Sequence, residues 1–186
     1  MGGKNEECNM AMNIVNPLAI ERKDLPLIVF SDDLRGFFAW GIRVHSEGNY
    51  SHSMIMINEQ KVISQGGTYS EVLINKYMNN RYRIKFWKIK NLSNEEYIDI
   101  TNAVKKDLSA NWWQKSYDWL GILGQLFKLR GINNPMQYYC SERIARYLRL
   151  TSIKDKIPLH PSPSQLNNLF KTIPEMEVFG YWESED

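Results

Sequence analysis

Two cysteines, Cys8 and Cys140, are all that the 186 residues contain, too few for a disulfide framework. Neither stands in a C-x-x-C pair, and His45, His52 and His160 are scattered, so no metal-ligand pattern is present and no cofactor is expected. Charge of one sign is also lacking. The 23 basic and 21 acidic residues leave a net charge of +2, which calls for no strongly charged partner, and no nucleic acid is expected. No apolar run approaches the ~20 residues of a membrane span; the longest, such as "LPLIVF", are strand-sized. The start "MGGKNEECNM" has no apolar core of a secretory signal, and Glu6 stands where a myristoylation start needs Ser or Thr. A soluble protein made without a signal peptide is expected, cytoplasmic or virion-associated.

What is present is an ordinary globular composition, 43% hydrophobic and 12% aromatic, which argues against disorder and suits one domain with a core. Residues 1–23 read as a polar N-terminal arm, and 24–186 as the domain. "LPLIVF" is a strand ending in the turn cluster "SDD". "SHSMIMI" alternates, with His52, Met54 and Met56 on one face and Ser53, Ile55 and Ile57 on the other. "NEQ" turns the chain into a returning strand, "KVISQ", which makes a hairpin. "RYRIKFWKIK" is the clearest strand. Ser93 and Glu96 then form a capping box, and Tyr97, Ile100 and Val104 an apolar helical stripe. Helical patterns follow in "YDWLGILGQLFKLRG", in "CSERIARYLRL" and in "SPSQLNNLF", with a last strand at "EMEVFGYW". Strands first and helices later predict an α+β fold, an antiparallel sheet or small barrel packed against helices.

Cys140 opens its helix, where the dipole and free N–H groups favour an anion and lower a thiol pKa. The position alone favours a buried structural cysteine. His52 opens a strand after the turn-like "SEGNYS" and is the matching base; His45 and His160 read as surface residues. Glu142 reads as a cap or structural partner, Trp112, Trp113, Tyr117 and Trp119 as core, and Lys85, Lys88 and Lys90 as a solvated strand edge. Sequence spacing does not show whether Cys140 and His52 meet across the 88 positions that separate them.

In order, "YSHSMIMI", "VISQ", the basic strand, the capped helix, "YDWLGIL", "YYCSERIARYL" and the Pro-rich "LHPSPSQLNNLF" resemble the circularly permuted papain-like hydrolases. These are the YiiX-like branch of the NlpC-type peptidase superfamily, related to lecithin:retinol acyltransferase-like enzymes. The resemblance runs from about residue 24 to 175. It implies a permuted papain-like fold in which the histidine strand precedes the cysteine helix. It makes Cys140 the nucleophile and His52 the base. The group that orients the imidazole falls on Ser64, where relatives often carry a carboxylate, an amide or a histidine, with Gln65 as the neighbouring candidate. The Cys140 N–H and a donor at Tyr138 or Tyr139 would hold the oxyanion.

The function expected is a thiol hydrolase cleaving an amide (peptide or isopeptide, including cell-wall bonds) or ester through a thioester. An acyltransferase acting on a lipid or acyl substrate is the nearest alternative. A third reading is a catalytically idle ligand-binding or structural component of a larger assembly such as a virus particle, favoured by the weak partner at Ser64.

Overall fold

β-branched and aromatic residues in alternation build the scaffold. The computed structural model of the protein describes residues 13–35, 49–65, 68–111 and 140–184. Six strands, β1 (Leu27–Asp33), β2 (His52–Asn58), β3 (Lys61–Gln65), β4 (Tyr69–Leu73), β5 (Tyr82–Ile89) and β6 (Met176–Glu183), form one antiparallel sheet in the order β4-β3-β2-β1-β5-β6. Three α-helices accompany it among the described residues: α1 (Asn94–Ser109), α2 (Cys140–Leu148) and α3 (Pro163–Phe170). The fold is α+β as expected, and the sheet is open, with β4 and β6 at its edges. The β2–β3 hairpin turns through Gln60 at φ 59°, a left-handed conformation at the tip that the "NEQ" stretch marks.

Alternation sends each strand's residues to two cores. Ile28, Phe30, Ile55, Ile57, Ile63, Trp87 and Ile89 pack with Ile100 and Val104 of α1, Ile144 and Leu148 of α2, and Phe170 of α3. On the other face Val29, Met54, Met56, Val62, Ile84 and Phe86 pack with Ile20, Leu25, Ile74 and Tyr77. Helix starts follow their sequence signals. Reciprocal capping boxes join Ser93 to Glu96 and Ser162 to Gln165, with Pro163 in the first turn of α3, where its missing N–H costs nothing. Ahead of β1, the Val15 N–H donates to the Tyr181 carbonyl at 2.8 Å, and a Cβ at Gly180 would lie 2.0 Å from Val15 Cγ2. This close backbone approach explains the glycine inside β6.

Two features differ from expectation. β4 and the 3-10 turn Ile74–Tyr77 behind it carry no clear alternation in sequence. Lys85 is not on a solvated strand edge. β5 runs between β1 and β6, and Lys85 is 5% exposed, with Nζ 4.5 Å from the Trp87 ring centre and 5.0 Å from that of Tyr181. Burial, aided by the charge of Lys171, pushes its ammonium down to about 8. The segments 36–48, 112–139 and 1–12 lie outside the described residues. With them go His45, Cys8, most of the stretch "LRGFFAWGIRVHS", the helix expected at "YDWLGILGQLFKLRG" and its tryptophans.

α2 is buried on nearly every side, and polar anchors hold it. Asp107 at the end of α1 accepts hydrogen bonds from Arg143 Nη1 at 3.1 Å, from Arg146 Nη2 and from the Tyr147 hydroxyl, while the Tyr69 and Tyr147 hydroxyls meet at 2.8 Å. Asp107→Ala removes the acceptor that Arg143, Arg146 and Tyr147 share and should cost about 3–5 kcal/mol in urea unfolding, the size expected when one member of a buried ion pair is removed. Lys85 predicts a pH signature. Because its folded pKa lies below the unfolded ~10.4, the native state sheds its proton first, so stability rises with pH from about 8 to the unfolded value. Lys85→Met should remove that rise from the pH dependence of urea unfolding.

Candidate active site

Cys140, His52 and Ser64 come together where α2 packs on β2. Cys140 is in no disulfide and is 3% exposed, at the first residue of α2. His52 is the first residue of β2, partly buried, and shares a face with Met54 and Met56. On β3, Val62 lies in the core on that same face and Ile63 in the opposite one, so alternation turns Ser64 toward His52 and Gln65 away. The β2–β3 irregularity lies between Ile55 and Asn58, at the other end of the hairpin, so it does not rotate Gln65. Accordingly His52 Nε2 and Ser64 Oγ are 2.9 Å apart. The structure brings Ser64, not Gln65, behind the imidazole. Tyr138 and Tyr139 lie outside the described residues.

The thiol is subject to opposed forces. Burial pushes its pKa up. The charge of the His52 ring pulls it down, joined by a hydrogen bond from that ring and by the polar backbone and hydroxyl of Ser53, and the outcome lies below the ordinary thiol value, at about 7. With Nε2 engaged by Ser64, Nδ1 is the ring nitrogen left for the sulfur. The arrangement favours the thiolate form of Cys140.

A residue that sequence reading did not single out completes the chain of contacts. The Tyr77 hydroxyl lies 2.9 Å from Ser64 Oγ, buried. Burial raises the Tyr77 pKa, so it remains a protonated phenol at neutral pH. When both imidazole nitrogens carry protons, Nε2–H must donate, Ser64 must accept, and the Ser64 hydrogen is then free to point at the Tyr77 oxygen. Tyr77 sits on an irregular 3-10 turn, where no periodicity could have flagged it. Glu142 acts as the structural partner expected of it. His160, although exposed, meets it with Nδ1 2.8 Å from Glu142 Oε1. Ser141 Oγ donates to the Pro161 carbonyl at 2.6 Å, so the Pro-rich segment is tied to the first turn of α2.

No family model matches the chain, and no curated protein is similar to it. Among solved structures, the chain is similar to the crystal structure of the metalloprotein YiiX from Escherichia coli O157:H7. The TM-score is 0.57 at 13% sequence identity, over 88% of this chain and 100% of that one. At that identity the likeness is one of fold. It agrees with the YiiX-like arrangement of elements. The metal belongs to that protein's description; among the described residues here, no group of three His, Cys, Asp or Glu side chains is placed to hold one. No helix among the described residues is long and apolar enough to cross a membrane.

The relay behind the imidazole has a measurable consequence. Ser64→Ala removes the acceptor of the imidazolium N–H and should raise the pH midpoint of Cys140 alkylation by about one unit, the size expected for one hydrogen bond to a charged group. Tyr77→Phe should raise it by less, because Ser64 still accepts. Iodoacetamide rates measured across pH distinguish the two.

Proposed function

We propose that the protein is a thiol hydrolase with a permuted papain-like fold, acting through Cys140 and His52. One observation carries the reading: a buried thiol stands beside a histidine that is itself backed by a hydroxyl 2.9 Å away, and the charge of that ring holds the thiol below its ordinary pKa. A structural cysteine at the same depth would have its pKa raised by burial.

The chemistry follows from the ion pair. The Cys140 thiolate attacks the carbonyl carbon of an amide or ester, and the carbonyl electrons move to oxygen. N–H groups at the first turn of α2 are available to the oxyanion. His52 gives its proton to the leaving amine or alcohol as the tetrahedral intermediate collapses to a thioester. It then takes a proton from water, which releases the acid and restores the pair. Peptide and isopeptide bonds, including those of cell walls, are the substrates that the YiiX-like resemblance favours. The same thioester passes to a lipid or acyl acceptor if water is excluded, which makes acyl transfer the neighbouring activity. Ser64 favours a second reading. A hydroxyl stabilises an imidazolium less than a carboxylate does, which suits a member that binds an acylated or peptide ligand without turning it over.

Iodoacetamide labelling separates these readings. The wild-type thiol should lose reactivity as pH falls through about 7, and His52→Ala should move that midpoint up toward the free-thiol ~8.5. A wild-type midpoint already near the free-thiol value and indifferent to His52→Ala would refute the dyad. With peptidoglycan fragments or acyl esters as substrates, Cys140→Ser should abolish turnover while leaving the urea midpoint nearly unchanged. A labelled but non-hydrolysing wild type would favour the binding reading.

A further inference from the structure

We propose that the Ser53 hydroxyl is a catalytic hydrogen-bond donor, holding the Cys140 thiolate before attack and the carbonyl oxyanion after it. The assignment rests on the thiol-hydrolase reading and adds to it a group from the strand opposite the helix. Ser53 follows His52 in β2 and faces the other way, onto the side of the sheet where α2 packs. It is 2% exposed, and its Oγ makes no hydrogen bond of ordinary geometry among the described residues. The helix that packs on this strand begins with Cys140, and the backbone and hydroxyl of Ser53 are among the groups that pull its thiol pKa down. An unpaired hydroxyl at this depth costs stability, whereas alanine would fill the site at no such cost. A donor aimed at a reacting atom gives the serine a reason to be there.

The two roles follow the movement of charge. In the resting pair the thiolate is the local acceptor, and the Ser53 O–H donates to it. On attack the S–C bond forms, the C=O π bond breaks, and the negative charge passes from sulfur to the carbonyl oxygen. The thioether sulfur that results accepts hydrogen bonds weakly, so the Ser53 hydroxyl is released to donate to the oxyanion, one carbon away. No proton leaves Ser53 at any step, and His52 alone shuttles protons.

Two probes on the full chain read the two roles apart. Iodoacetamide alkylation forms no oxyanion and reports the thiolate alone; acylation by p-nitrophenyl acetate, followed by p-nitrophenolate release, reports thiolate and oxyanion together. Ser53→Ala should raise the alkylation midpoint. At a pH where the thiol is ionised in both proteins, it should slow acylation about tenfold or more relative to alkylation. Ser53→Thr, which keeps the hydroxyl, should restore most of both, and the melting temperature of Ser53→Ala should be unchanged or higher. An unshifted midpoint, or an acylation-to-alkylation ratio equal to wild type, overturns the proposal. Failure of the dyad itself shows separately, as a His52→Ala protein whose alkylation profile matches wild type. If Ser53→Ala does not fold, a Ser53→Thr protein that alkylates normally but acylates as slowly as His52→Ala also overturns it.

Discussion

Everything at this site depends on fixing one short helix that has almost no solvent face. All but one of the nine residues of α2 are buried, including Ser141, Glu142 and Arg143, so the helix cannot be positioned by an apolar stripe alone. Polar groups fix it instead. Ser141 is tied to the Pro161 carbonyl, Glu142 to His160, Arg143 and Tyr147 to Asp107, and Tyr147 to Tyr69. These contacts reach the Pro-rich segment, α1 and β4. Hydrogen bonds are directional where hydrophobic contacts are not, so together they set both the rotation and the axial position of α2. Cys140 is the first residue of that helix, and a shift of about 1 Å would be felt in its chemistry.

The partner of the thiol is fixed by a different device. β2 lies inside the sheet, hydrogen-bonded to β1 and β3, so the direction of the His52 side chain is a matter of register. The same register turns Ser64 toward the ring and Ser53 toward the helix. A slip of one residue would exchange the faces of all three. The hairpin at Gln60 and the apolar alternation of Met54, Ile55 and Met56 hold that register, because any slip would move one core's residues into the other.

Much of this was legible before the fold was known, and the failures share a cause. Alternation in "SHSMIMI" and "VISQ" assigns faces correctly, and through them the choice of Ser64 over Gln65 behind the imidazole. Capping boxes locate α1 and α3. Tyr77 was not legible, because an irregular turn has no period and its hydroxyl reaches Ser64 only through the way that turn is folded. β4 was missed because, at the sheet edge, it carries no strong inward pattern. Composition alone suggests a solvated edge for Lys85, and the structure buries it. Its alternation with Ile84 and Phe86 puts it on the face of Trp87, in a strand flanked on both sides, and an aromatic pair there substitutes for water around the ammonium. His160 was read as surface and is exposed, yet its ring nitrogen is committed to Glu142, a contact across 18 positions that no local pattern encodes.

A hydroxyl relay in place of a carboxylate changes what the histidine can do. A carboxylate behind an imidazole adds a full charge that favours the imidazolium whatever happens at sulfur. Ser64, backed by a neutral Tyr77, supplies dipoles only. In the proposed hydrolase, the thiolate is then the main charge that holds a proton on the ring. A thioester would remove that charge, and with it the main attraction for the proton. That favours delivery of the proton to the leaving group and leaves a neutral base ready for water. A weak third member thus weakens the proposed resting pair, the feature that suits the binding reading, while easing the later proton transfers, the feature that suits the hydrolase.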